Sequence, residues 1–161
     1  EIDIFLTNEL HALIGRNGVG KSCLAAILAD RLQPSEGVVQ RFCKIGYLAQ
    51  GETEIVGTAG DVLGVSEIQR VSSRILNGEG TPEDFSFMDG KWNWEAETDA
   101  LLAEGELSLD VLKRPFKSLS GGEQTRLKLL ALKRQGCKFL ILDEPSNHLD
   151  QDGRVWLAQW L

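Results

Sequence analysis

The segment GRNGVGKS, Gly15 to Ser22, constrains this chain more than any other. It satisfies G-x-x-x-x-G-K-[ST] at every fixed position. The apolar run Leu10–Ile14, interrupted by His11, precedes it and predicts a strand. Lys21 to Leu32 follows with Leu24, Ile27, Leu28 and Leu32 on one side, which predicts a helix stopped by Pro34. A glycine turn between strand and helix points backbone N–H groups at a common centre. The positive helix end adds to them, and the result is an anion site. Gly15, Gly18 and Gly20 allow tight closure. Lys21 is placed for β- and γ-phosphates, and the Ser22 hydroxyl for Mg²⁺.

A phosphate loop needs an acid to complete a metal site. The run Phe139–Leu142 ends in Asp143 and Glu144, and its unbroken apolar character fits a buried parallel strand. Asp143 is expected to hold the Mg²⁺ shell. Glu144 is expected to orient or deprotonate an attacking water. Val38–Val39 and Lys44–Ala49 predict two further short strands.

Between these parts the pattern changes. Thr58 and Asp61 have capping-box spacing, and Val62, Ile68, Val71 and Ile75 follow at helical intervals. Asn77-Gly78 offers a stop, and Thr81-Pro82 a new start. Trp92 and Trp94 read as core anchors. Residues 51–118 are therefore expected to be a mostly helical subdomain, inserted between 1–50 and 119–161. Ser120 is expected to cap a helix running to about Arg134, and a last helix begins near Gln151.

Composition narrows the function classes. The 161 residues carry a net charge of −7, so broad attraction to nucleic acid or anionic lipid is not expected, though a local basic patch remains open. No apolar run approaches the roughly 18 residues that would cross a bilayer. Cys23, Cys43 and Cys137 fit no metal spacing and read as small buried thiols.

The order GRNGVGKS, Gln50, LSGGEQ (Leu119–Gln124), FLILDE and PSNHLD (Pro145–Asp150) resembles the ATP-binding cassette (ABC) family. The first four match that family's phosphate loop, glutamine loop, signature and second acidic motif, whereas the family's transport subunits usually carry a loop close to PTSALD in place of PSNHLD. The NHLD form is similar to the ABC-F subfamily, which has no membrane domain and acts on the ribosome. The segment around Lys91-Trp92-Asn93-Trp94 looks like that group as well. The resemblance implies an α/β P-loop NTPase core with an inserted helical subdomain, truncated at both ends. It implies an ATPase using ATP and Mg²⁺. Gly15, Arg16, Asn17, Gly18, Val19, Gly20, Lys21, Ser22 and Cys23 would bind nucleotide. Cys23 stands where the family usually has Thr and is expected to pack in the helix. Gln50 would sense the metal and the lytic water. Ser120, Gly121 and Gly122 would touch the γ-phosphate of a nucleotide held by another copy of the domain. Asp150 would lie in the loop joining the two sites.

The same resemblance implies a second ABC domain, in the same chain or in a homodimer. It implies a ribosome or tRNA partner, a cytoplasmic location and no membrane insertion. The family's adenine-stacking aromatic would lie upstream of Glu1, with Phe5 too near the loop to replace it. The switch histidine would lie beyond Leu161, and His148 belongs to NHLD instead. Two other readings stay open. One is the ATP-binding subunit of a transporter, gripping a membrane partner through residues 51–118. The other is a nucleotide-binding switch with little turnover.

Overall fold

A computed structural model describes residues 3–7, 9–49, 55–147 and 149–161. Gln50 and His148 lie outside the described residues. Helix α1 (Lys21–Leu28) precedes strand β1 (Ile45–Leu48), helices α2 (Ala59–Leu63), α3 (Ser66–Leu76), α4 (Pro82–Met88), α5 (Trp94–Glu104) and α6 (Gly121–Arg134) follow, and strand β2 (Phe139–Leu142) precedes helix α7 (Gln151–Trp160). Short 3-10 turns occupy Leu109–Lys113 and Phe116–Ser118.

β1 and β2 pair in parallel, from Ile45 opposite Phe139 to Leu48 opposite Leu142. Gly46 makes the approach of α6 and β2 possible. A Cβ there would lie 2.8 Å from Leu140 Cδ2 and 3.2 Å from Leu132 Cδ1, closer than packed carbons come.

Three helix starts follow from capping chemistry. Thr58, Thr81 and Ser120 each accept the N–H three residues on, and Asp61, Asp84 and Glu123 each return a bond to the cap N–H. Pro82 sits in the first turn of α4, where its missing N–H costs nothing. The helical stretch closes on itself at its ends: Ala59 N–H donates to Arg114 O at 3.0 Å, and Phe116 N–H to Gly57 O at 2.9 Å.

Two apolar clusters organise the packing. The larger joins Leu63, Val71, Met88, Trp94, Leu102, Leu112, Leu127 and Leu130. The smaller joins Leu129, Leu149, Trp156 and Leu157, with Leu48 and Leu142 packed against it. α6 contributes Leu127 and Leu130 to the first cluster and Leu129 to the second. It is therefore the element that both clusters share.

On the buried side of α5, between Trp94 and Leu102, the Thr98 hydroxyl is fully buried, at 0% exposure, with no hydrogen-bond partner among the described residues. An unsatisfied buried hydroxyl is destabilising, and valine matches its shape. Thr98→Val is expected to stabilise the fold by about 1 kcal/mol, read as a higher urea midpoint at unchanged slope. A lower midpoint would mean that the hydroxyl is satisfied in solution.

Several sequence expectations are corrected. Leu10–Ile14 forms no strand; Leu10 is 83% and Ile14 90% exposed. A strand needs a neighbour to take its N–H and C=O groups, and the two described strands pair with each other. Val38–Val39 is irregular for the same reason. α1 ends at Leu28 rather than Leu32. Arg41 donates to Ile27 O at 2.6 Å and Leu28 O at 2.9 Å, and the chain turns at Asp30, φ 61°, before Pro34 is reached. The periodic run from Val62 to Ile75 is split in two, because Gly64 takes the left-handed conformation, φ 77°, and closes α2. Trp94 is a core anchor, but Trp92 is 57% exposed, its ring tilted by 44° against Phe85. Cys23 and Cys43 are exposed, and Cys137 is half-buried. Cys23 lies on the outer face of α1, where Ala25 is the buried position.

Candidate phosphate site and its acidic partners

The glycine loop folds on itself. The Lys21 ammonium donates to Gly15 O at 2.9 Å and to Arg16 O at 3.0 Å. Val19 N–H reaches Arg16 O at 3.4 Å, and Leu24 N–H closes the first turn of α1 on Gly20 O at 2.9 Å. Gly18 and Gly20 have φ 83° and 97°, a region that penalises any residue with a Cβ. Lys21, Ser22 and Cys23 are the first residues of α1, so their N–H groups have no partner within the helix. A cation, a left-handed turn and a helix N-terminus therefore meet over Gly15–Ser22. This donor set suits an anion with several oxygens.

Asp143 continues β2 by one residue and donates its N–H to Leu48 O at 2.9 Å. Its carboxylate lies near the Tyr47 phenol. Burial, and then the charge and hydrogen bond of Asp143, push the Tyr47 phenol above its ordinary pKa. Glu144 has φ 50°, which costs a residue with a side chain about 1–2 kcal/mol. Asn147 holds it there: its side-chain amide donates to Glu144 Oε2 at 2.6 Å, and its N–H to Glu144 O at 3.2 Å. Local bonds thus keep a strained backbone in place directly after β2.

Ser120 caps α6, accepting from Glu123 N–H at 3.2 Å, while Glu123 Oε2 accepts from Ser120 N–H at 2.7 Å. That backbone bond, opposed by desolvation and helped by Arg114 at 3.2 Å, holds the Glu123 carboxyl below the usual range. Asp150 caps α7, accepting from Gly153 N–H at 2.8 Å. Leu149 brings the two caps together: its Cδ2 lies 3.8 Å from where a Cβ on Gly122 would stand.

The expected site residues thus fall into local groups. Gly15, Arg16, Asn17, Gly18, Val19, Gly20, Lys21, Ser22 and Cys23 form the loop and first turn of α1. Asp143 and Glu144 end β2. Ser120–Gly122 and Asp150 begin α6 and α7, side by side. The loop does not share their core, because no residue of 15–28 belongs to either apolar cluster. Gln50, expected at both metal and water, lies outside the described residues. Sequence reasoning missed Tyr47 and Asn147. Strand alternation offered a signal for Tyr47, which pairs with Ile141, two residues before Asp143. Asn147 stands three residues from Glu144, the reach of a turn.

A left-handed glycine loop on a helix start and an acid-tipped parallel strand define a P-loop nucleotide-binding α/β protein. The chain belongs to the ABC transporter family, whose model matches residues 5–147. It is 35% identical over 165 residues to the ATP-binding protein YdiF of Bacillus subtilis (strain 168), covering 100% of this chain and 22% of that one. It is 32% identical over 143 residues to ATP-binding cassette sub-family F member 3 of Homo sapiens, covering 87% of this chain and 17% of that one. The chain thus spans about a fifth of these F-type relatives. Among solved structures, RNase-L Inhibitor matches at TM-score 0.60 and 26% identity, over 91% of this chain and 24% of that chain. A model titled as ribosome-bound archaeal Pelota and ABCE1 matches at TM-score 0.59 and 28% identity, over 91% and 21%. ABC ATPase domains bind ATP with Mg²⁺ and work in pairs. Among the described residues, no helix is long and apolar enough to cross a membrane.

Proposed function

We propose that this chain is an ATP-hydrolysing ABC domain that acts when a second ABC domain, in the same chain or in a homodimer, closes over it. The observation that carries the reading is the Lys21 ammonium, drawn to 2.9 and 3.0 Å from the loop carbonyls at the start of α1. It stands where β- and γ-phosphates would replace those carbonyls as its partners. Residues 15–23 hold the nucleotide. The Ser22 hydroxyl and the Asp143 carboxylate are hard oxygen donors of the kind Mg²⁺ takes, and the phosphates supply further oxygens. Bound Mg²⁺ neutralises charge on the phosphates as they react. Glu144 orients the water and accepts its proton, and Gln50 senses both metal and water. Ser120, Gly121 and Gly122 meet the γ-phosphate carried by the partner domain, with Asp150 beside them. On this reading 1–50 and 119–161 form the nucleotide-binding core and 51–118 a helical subdomain.

The larger protein acts in the cytoplasm on the ribosome or its tRNA. Supporting this are the F-type relatives, the NHLD loop and a neighbour whose title names a ribosome-bound complex. Lys21→Ala removes a charge-assisted phosphate contact worth about 1.5–3 kcal/mol. ATP affinity is therefore expected to fall about tenfold to a hundredfold, measured by titration with a fluorescent ATP analogue. Unchanged affinity in a folded variant would overturn the assignment. Co-sedimentation of the full chain with ribosomes, against a membrane pellet, tests the partner.

A further inference from the structure

The last turn of α5 is finished by two other helices. Leu102 O accepts from Gly105 N–H at 2.9 Å and Leu107 N–H at 3.0 Å, and Ala103 O from Glu106 N–H at 3.0 Å. The next two carbonyls turn outward and are met from elsewhere. The Trp156 indole of α7 donates to Glu104 O at 2.7 Å. Arg126 of α6 donates to Gly105 O at 3.3 Å and to Glu106 Oε2 at 2.5 Å. The Arg126 guanidinium also lies over the Trp156 ring, 5.0 Å from its centre. Lys133 reaches Glu104 Oε2 at 2.5 Å, a second tie from α6. Trp156 is buried, and the Arg126 side chain is only 15% exposed. Helix C-terminal carbonyls must find donors, and here the donors come from the two helices that carry the candidate motifs.

The placement is symmetric. Arg126 lies six residues after Ser120 on α6, and Trp156 six residues after Asp150 on α7. Each cap is thus about 9 Å along a stiff helix from the shared joint. Leu149 touches the Gly122 position and closes the other end. We infer that Arg126 and Trp156 are positioning residues: through the α5 carbonyls they lock the Ser120–Gly122 turn and the Asp150 turn into one body. Those two turns then meet a partner domain as a unit. A shift of α5 is transmitted to both, and neither moves alone.

The inference rests on the proposed ATPase reading for its kinetic arm and for the partner domain that the two turns meet; the joint itself does not. Trp156→Phe keeps the ring and deletes the indole donor; Arg126→Lys keeps the charge and deletes the planar fork. Amide exchange is followed by mass spectrometry in the full chain, on peptides covering 120–126 and 150–156. Either single variant is expected to speed exchange about tenfold in both peptides, including the one on the helix it does not touch. ATP turnover should fall about tenfold in kcat with KM within about twofold, since groups far from the chemistry act through placement. Faster exchange confined to the substituted helix would overturn the joint, as would unchanged kcat in a protein that turns over ATP. A wild type that lacks turnover would count against the ATPase reading, while the exchange comparison would still decide the joint.

Discussion

Glu144→Gln is expected to slow ATP turnover by about 10²–10⁴, the usual worth of a positioned base. The substitution keeps the size of the side chain and an acceptor oxygen for the Asn147 amide, now at 2.6 Å from Glu144 Oε2. It removes the negative charge and the basicity. The backbone at φ 50° and its bond from Asn147 N–H are untouched, so the turn after β2 stays in place. ATP affinity should stay within about twofold, because on the proposed reading Lys21, Ser22 and Asp143 carry phosphate and metal without it. Slow hydrolysis with intact binding accumulates the closed, ATP-bound pair. Turnover, nucleotide affinity and ribosome co-sedimentation of the full chain are compared with wild type. Hydrolysis at the wild-type rate would remove Glu144 from its role. Accumulation on membranes instead of ribosomes would turn the partner assignment toward a transporter.

Trp94→Ala is expected to cost about 3–5 kcal/mol, the range for deleting a buried aromatic. Trp94 is 6% exposed at the start of α5 and packs in the cluster that also holds Met88, Leu102 and Leu127. The loss is a large share of the roughly 5–15 kcal/mol that holds a domain together. Trp92→Ala, two residues away on the surface, is expected to change stability by no more than about 0.5 kcal/mol. Urea unfolding followed by far-UV circular dichroism separates the two. Equal midpoints for the two variants would refute the assignment of Trp94 to the core.

The two tryptophans show where local pattern stops being informative. Both sit in a short aromatic run, and nothing in their spacing says which one faces inward. The answer depends on where α5 begins, since Trp94, Thr98 and Leu102 share its inner face. Chemistry that acts within three or four residues was legible. The capping pair at Thr58, the Thr81-Pro82 start of α4 and the Ser120 cap formed as their sequences predict, and β2 pairs in parallel as expected, although its four residues are half-buried rather than buried. The glycine turn at the start of α1 was legible for the same reason. Its glycines, Lys21 and Ser22 are neighbours in sequence, and they need little beyond their own turn to meet.

What required distant partners was not legible. Leu10–Ile14 and Val38–Val39 have strand composition, but a strand exists only where a neighbour accepts its hydrogen bonds. The end of α1 was set by Arg41, a guanidinium 13 residues beyond Leu28, rather than by Pro34. Asn147 on Glu144 and Tyr47 on Asp143 are side-chain meetings without a motif of their own. The joint of Arg126 and Trp156 is the furthest case, since the indole reaches a carbonyl 52 residues earlier in the chain. By itself the sequence determined the family, the glycine turn before α1, the acid-tipped strand and the capped helix starts, because each rests on residues that are near neighbours in the chain. Only the tertiary structure decided which tryptophan is buried, which apolar runs pair, and how the Ser120 and Asp150 turns are held together. Burial and long-range hydrogen bonding depend on partners that sequence spacing does not name.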